Sequence, residues 1–437
     1  MKMSSRSVLK ATLGSFMFAL LFWAGGASVF AQDNSTQNVA ELQLVIEQLI
    51  EQRNNIASVS EAAEMDLGKT TAEIQLALLD EIRDIFHDAR LMANRTNQNF
   101  FHNIPIMTSW SGPQFEGHDR FSVGLSDERY LPLISTILEF TGIDESKMDV
   151  RIVGVAMPSS VSRLTFTIEE LYLFDELYRN YHGQEVYQFG GYVPRILPHS
   201  ITPEELEELL RSCYDTNSQG IYQFEGQITN ILPSSGRVLN MGTSIMIIRH
   251  MGDGWHEVVH PAATLGHPRN ASGTTAFTTH HNAVRVGDVV AVRSTGERIG
   301  VISAVHWHPA RGLDLSYIRL DPGMTVSSAL PNGTGNIASY FSPPPSNYQS
   351  VRMFGAPPPI SGSGIQSGIM WRPSVRVDFI GLGTFHNVME VNIFATFGDS
   401  GAALTHTNTR NVIGTLIGSS NTERFAWFSP AIEYQFR

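Results

Sequence analysis

Phe397-Gly398-Asp399-Ser400-Gly401-Ala402-Ala403 is the stretch on which the reading of this chain turns. A serine set between glycines, directly after an aspartate, is what acyl-transfer chemistry requires of a tight turn. Glycine opens backbone angles closed to other residues, so the amides of Gly398 and Ser400 can converge on one point beside the hydroxyl. Two such N–H groups make an oxyanion hole. Taken alone, the tetrapeptide Gly-Asp-Ser-Gly is also an ordinary surface turn. Its meaning therefore depends on a histidine and a buried acid upstream.

Both are present. Thr275-Ala276-Phe277-Thr278-Thr279-His280-His281-Asn282 reads as a strand end carrying two histidines. Gly312-Leu313-Asp314-Leu315-Ser316-Tyr317-Ile318-Arg319-Leu320 opens on an acid and then alternates apolar with polar residues, the pattern of a half-buried strand. The order is His, Asp, Ser, with 33 residues from His281 to Asp314 and 86 from Asp314 to Ser400. Those gaps hold several short strands and no further domain. Asp321, in Leu320-Asp321-Pro322-Gly323, reads instead as a charge that opens a turn.

Together the three segments resemble the chymotrypsin-like serine peptidases, and in particular their bacterial secreted branch of streptogrisins and alpha-lytic protease. That branch writes the histidine segment as Gly-Phe-Val-Thr-Ala-Gly-His-Cys, and Thr275 to Asn282 aligns with it without a gap. The alignment puts His281 in the catalytic place and His280 where the family carries a small residue. Ala263-Thr264-Leu265-Gly266, Gly300-Val301 through His308-Pro309, and Gly364-Ile365-Gln366-Ser367-Gly368-Ile369 resemble further family segments. The resemblance covers about 200 residues, from near Gly236 to Arg437. It implies two six-stranded antiparallel barrels with a crevice between them: an all-β, trypsin-like catalytic domain over residues 238–437. It further implies His281 as general base, Asp314 as its orienting acid, Ser400 as nucleophile, and the amides of Gly398 and Ser400 as the oxyanion hole. Phe394, Ala395, Ile417, Gly418 and Ser419 are the expected lining of the primary pocket. No acid stands at Phe394, so an apolar or small residue before the cleaved bond is expected.

Several positions depart from the family pattern. Ala402 and Ala403 replace the usual glycine and proline after the serine, and Gly418-Ser419-Ser420 replaces the usual Ser-Gly-Gly. Asn282 stands where a disulfide cysteine is normal, and the single cysteine of the chain, Cys213, lies outside the expected peptidase domain. Each missing bridge forgoes roughly 2–4 kcal/mol, which packing must supply. A catalytically inactive, secreted peptide-binding homologue is the alternative that these departures leave open.

The remaining half has another texture. Residues 1–31 join Lys2, Arg6 and Lys10 to an apolar run from Leu13 to Ala24 and end in Val29-Phe30-Ala31. That is the plan of a signal peptide, too short in its apolar part for a spanning helix, so export and a secreted or extracytoplasmic location are expected. Residues 32–105 show helical periodicity, as in Leu42, Val45, Ile46, Leu49 and Leu78, Ile82, Ile85, Phe86. Residues 106–237 alternate expected strands (120–125 and 150–155) with expected helices (132–140, 167–181 and 203–210). This α+β order resembles the pro-regions that precede streptogrisin-type peptidases. It implies an intramolecular chaperone or inhibitor, removed by a cut near Ser235-Gly236-Arg237-Val238. A freed amine there, or an internal arginine, is expected to pair with Asp399.

Charge follows the same division. Residues 32–237 carry 14 basic and 31 acidic side chains, residues 238–437 carry 13 and 11. The acidic block either docks on its mildly basic neighbour or simply stays soluble; charge alone does not choose. Neither half has the basic stripe of a nucleic-acid binder. His306-Trp307-His308 spaces two histidines on one face of a strand without a third metal ligand, so no metal and no cofactor is expected. The expected partners are peptide or protein substrates and the chain's own pro-region, with no membrane once the signal is gone.

Overall fold

The computed structural model describes residues 35–56, 70–97, 105–113, 120–158 and most of 234–434, with four two-residue strands between the last two ranges. The signal-like segment, the expected helices at 167–181 and 203–210, Cys213, Asn282 and Phe397 lie outside the described residues.

In chain order, α1 (Ser35–Ile56) and α2 (Thr71–Asn97) precede β1 (Met107–Ser111), β2 (Phe121–Leu125), α3 (Ile134–Thr141), β3 (Met148–Ile152) and β4 (Ala156–Pro158). The expected helix at 132–140 is split: Pro132 belongs to a 3₁₀ turn, Glu128–Leu133, and the α-helix begins only at Ile134. Asp127 caps that turn by accepting from the Arg129 amide. The strand expected over 150–155 ends early, because Gly154 takes a left-handed φ of 78° and divides it into β3 and β4. Ile46, Ile82 and Phe86 share one core with Val123, Leu133 and Ile137. The helical segment and the strands after it thus share one core.

Two isolated pairs follow, β5 (Val186–Tyr187) with β6 (Arg195–Ile196) and β7 (Asp215–Thr216) with β8 (Tyr222–Gln223). β9 (Val238–Leu239) then leads into β10 (Ser244–Gly252), β11 (Trp255–Thr264), β12 (Thr275–Thr278), β13 (Val289–Val292), β14 (Arg298–His308) and β15 (Leu313–Leu320). The last six form one antiparallel sheet in the order β11-β10-β13-β14-β15-β12. β16 (Thr325–Val326) pairs with β9. The chain ends with β17 (Ser350–Phe354), β18 (Ile365–Phe379), β19 (Gly383–Asn392), β20 (Ala403–His406), β21 (Val412–Ser420) and β22 (Phe425–Pro430). These pair in a closed circuit, β17-β20-β21-β22-β19-β18, because β17 also pairs with β18.

At 15 residues, β18 outruns the circuit, and its far end binds β1 with Ser109 opposite Val377 and Trp110 opposite Arg376. β2 and β3 continue that sheet, so the N-terminal block is hydrogen-bonded into the C-terminal one. Charge complementarity plays little part in the join. Arg83 pairs with Asp378 and Arg151 with Glu390, but Arg372 pairs with Asp149 and Arg376 with Asp80, so each side supplies both signs. Among the described residues no helix is long and apolar enough to cross a membrane.

Candidate active site

β12 and β15 run antiparallel, with Phe277 opposite Tyr317 and Thr278 opposite Ser316. Continuing that register brings residues 280 and 314 level just beyond the last paired residues. The strand that bears Asp314 is buried at every position but Arg319, not at alternate ones. Leu313, Leu315, Tyr317 and Ile318 fill the first sheet's core, whereas the Asp314 amide donates to Ser429 Oγ of β22 (3.1 Å). Being packed on both sides removes the expected polar face.

Asp314 has no solvent exposure. Its carboxylate accepts from the amides of His280 and His281, from Thr279 Oγ1 (3.0 Å) and from His281 Nδ1. Burial alone would raise this carboxyl, but His281 and the hydrogen bonds hold it down at about 2. His281 takes a left-handed φ of 45°, a conformation more open to histidine than to most residues, and the hydrogen bond that its backbone N–H donates to the Asp314 carboxylate fixes it there. With Nδ1 donating to the carboxylate, Nε2 is left as an acceptor, 2.7 Å from Ser400 Oγ. The structure therefore brings His281, Asp314 and Ser400 together. His280 turns away and packs edge-on against Trp307, ring centroids 5.7 Å apart.

Ser400 lies between the two sheets. Thr264 of β11 clasps its turn, the Thr264 amide donating to Ser400 O (2.8 Å) and Thr264 Oγ1 to Gly398 O (2.7 Å). Gly401 (φ 91°) is required here, since a Cβ would stand 2.5 Å from Thr264 O and 2.6 Å from Thr278 Oγ1. Among the described residues the amides of Gly398 and Ser400 have no hydrogen-bond acceptor. The Ser400 hydroxyl has a second partner, the Ile417 carbonyl (2.9 Å). Of the expected pocket, Phe394 is half-buried, the Ala395 and Ile417 side chains sit inside cores, and the Ile417 carbonyl reaches the site.

Among the described residues neither an arginine nor a chain terminus holds Asp399 in the uncut chain. Its carboxyl accepts instead from the amides of Ala356 (3.1 Å), Ser363 (3.0 Å) and Thr396 (2.9 Å). The segment at 235–238 is engaged elsewhere: Ser235 and Arg237 bind Glu297, and Val238 pairs with Thr325. Burial pushes the Asp399 carboxyl up to about 7 against those three bonds. A folded-state pKa above the unfolded one contributes stability that is complete below about pH 4 and lost as pH rises toward 7. Asp314 has the opposite sign: its contribution is present above about pH 4 and lost as pH falls toward 2. In urea unfolding, Asp399→Asn is accordingly expected to lose its deficit relative to the parent chain between pH 4 and 7. A deficit that grows over that range would contradict the assignment.

Three contributors were not visible in the motifs. Thr279 Oγ1 touches both His281 Nδ1 (3.0 Å) and Asp314. His260 lies edge-on to His281 at 5.7 Å, and burial holds it neutral, at about 3; a charged ring there would oppose an imidazolium. Ser429 is a lone serine in an apolar strand. Only Thr279 carried a signal, a hydroxyl one residue from the histidine pair. His306 packs on Tyr317 and Trp307 on Phe385. Among the described residues no group of three His, Cys, Asp or Glu is placed to hold a metal.

No protein-family model and no curated protein matches the chain. Solved structures do. Chymotrypsin of Cellulomonas bogoriensis is 16% identical over 44% of this chain and 92% of its own, with a TM-score of 0.33. Nocardiopsis protease is 19% identical over 44% and 93%, with a TM-score of 0.33. Protease A of Thermobifida fusca is 18% identical over 44% and 92%, with a TM-score of 0.32. The likeness is distant, and the functional reading rests on the geometry above.

Proposed function

We propose that this chain is an exported serine endopeptidase made as a precursor, with a double-barrel catalytic domain over residues 238–437 and an N-terminal block that assists its folding and blocks its cleft. The observation that carries this reading is His281 Nε2 at 2.7 Å from Ser400 Oγ with Nδ1 bound to Asp314. In the resting site one hydroxyl proton is shared between two acceptors, Nε2 and the Ile417 carbonyl. A substrate strand whose N–H takes that carbonyl leaves the proton to His281. Ser400 Oγ then attacks the scissile carbonyl as Nε2 removes the proton, and the oxyanion forms against the amides of Gly398 and Ser400. Asp314 steadies the imidazolium, which returns the proton to the leaving amine; water then repeats the cycle on the acyl-enzyme.

Two facts support a blocked precursor. Ser400 is 0% exposed, and β4 lies along β21 where a substrate strand would add. Burst kinetics on a nitrophenyl ester test the reading. One equivalent of nitrophenol released ahead of steady turnover, and absent from Ser400→Ala, is expected of an acyl-enzyme. An inactive peptide-binding homologue would give no burst even once the N-terminal block has been cut away.

A further inference from the structure

Ser235, Gly236, Arg237 and Val238 form an exposed run ahead of the first sheet, and Leu239 beyond them is buried in that sheet's core. Exposed segments of small and polar residues are where proteases cut most readily. This one is nevertheless held. Glu297, directly before β14, is 8% exposed and gives each carboxylate oxygen to a different partner. Oε1 accepts from the Ser235 amide (3.0 Å) and from Ser235 Oγ, and Oε2 pairs with the Arg237 guanidinium (2.7 Å). Farther on, the Thr325 amide donates to Arg237 O (3.1 Å), and β9 pairs with β16. Of the bonds in this run, only the one before Ser235 would leave its new amine on an acid. Among the described residues the Gly236 amide has no acceptor, and the Arg237 amide faces the Met324 thioether (3.1 Å). A cut before Val238 would part both Ser235 and Arg237 from the catalytic half.

We infer that maturation cuts between Ser234 and Ser235, and that Glu297 binds the amino terminus so released. The inference rests on the precursor reading above. Hydrolysis breaks the amide C–N bond with one water: Ser234 leaves as a carboxylate, and the Ser235 nitrogen becomes an ammonium. The nitrogen that already donates to Glu297 Oε1 then does so with a full charge, which strengthens the bond. Arg237 holds the other oxygen and is exposed, so solvent and salt screen its repulsion of the ammonium. Asp399 receives no terminus. For residue 235 to reach it, β9 would have to leave β16, and Leu239 and Met241 the core they share with Ile245. Asp399 keeps its three amides, and the triad, already assembled in the uncut chain, is not rebuilt by the cut. Cleavage unfastens the N-terminal block and anchors the free end of the catalytic half at the head of β14.

The test replaces residues 229–234 of the full chain with Glu-Asn-Leu-Tyr-Phe-Gln, so that a protease specific for that sequence cuts before Ser235. A second chain carries the same six residues at 230–235, and its cut exposes Gly236. Each is made with Glu297 and with Glu297→Gln, which still offers Ser235 an oxygen but no charge. The cut proteins are acetylated at neutral pH with an N-hydroxysuccinimide ester, and the new terminus is followed by mass spectrometry. An amine paired with a carboxylate keeps its proton, so the Ser235 amine is expected to react at least about tenfold more slowly with Glu297 than with Glu297→Gln. The Gly236 amine is expected to react at one rate in both. Equal rates for the Ser235 amine would overturn the inference alone, since no step of this test depends on Ser400. In the unaltered chain, maturation is expected to give a fragment that begins at Ser235; one that begins at another residue would overturn the assigned bond. A chain that stays uncut would overturn the precursor reading with it.

Discussion

Replacing His281 with alanine is expected to lower kcat for a peptide substrate by on the order of 10⁴ to 10⁶, with KM little changed. The size follows from position. Among the described residues Nε2 is the one side-chain base within reach of the Ser400 hydroxyl, at 2.7 Å, and a serine at its ordinary pKa is a poor nucleophile. Asp314→Asn is expected to cost about 10⁴. The amide would accept where the carboxylate now accepts from His281 Nδ1, or present its NH₂ and force the wrong tautomer. His280→Ala is the internal control. Its ring packs on Trp307, away from Ser400, so less than a tenfold change in kcat is expected. An enzyme that tolerates His281→Ala but not His280→Ala would reverse the assignment of the base.

The second large effect lies in the join between the N-terminal block and the closed sheet. Glu390 is fully buried there. It takes Arg151 as an ion pair at 2.6 Å and accepts from Ser109 Oγ (2.7 Å) and Trp427 Nε1 (3.1 Å). The Arg151 guanidinium also lies over the rings of Trp371 and Phe425, 5.2 and 5.5 Å from their centroids. Removing one partner of a buried pair leaves a charge without compensation, at about 3–5 kcal/mol. Arg151→Leu is therefore expected to destabilise the chain by that amount in urea unfolding. Adding Glu390→Gln should restore most of the loss, because a neutral amide still uses Ser109 and Trp427. A single variant within about 1 kcal/mol of the parent would mean that the pair is not what fastens the block.

What the sequence made legible is local. Gly398 to Gly401 announces itself because a nucleophile turn needs glycines at fixed offsets, and Thr275 to His281 because a buried strand ends in a histidine pair. Asp314 is legible as an acid at the head of a segment that alternates apolar with polar residues. The pairing of β1 with β18 left no such trace, since register between strands more than 250 residues apart depends on their meeting. The same holds for β4, three residues long and unremarkable in composition. Which pocket side chains face the site is not legible for a related reason. β21 is buried at all nine positions, on one face by the closed sheet and on the other by Val153 and Ala156. Alternation therefore could not tell which side chains face the site. In the uncut chain Asp399 is held by three amides, a choice set by loops at 356, 363 and 396 that only the fold assembles.

The central claim is that the Ser400 hydroxyl is an activated nucleophile. A fluorophosphonate probe, followed by mapping of the modified residue by mass spectrometry, tests it most directly. A single adduct on Ser400, abolished in His281→Ala and retained in His280→Ala, is the result expected. An unmodified Ser400 in a folded chain freed of β4 by Met157→Pro, or equal labelling with and without His281, would contradict it.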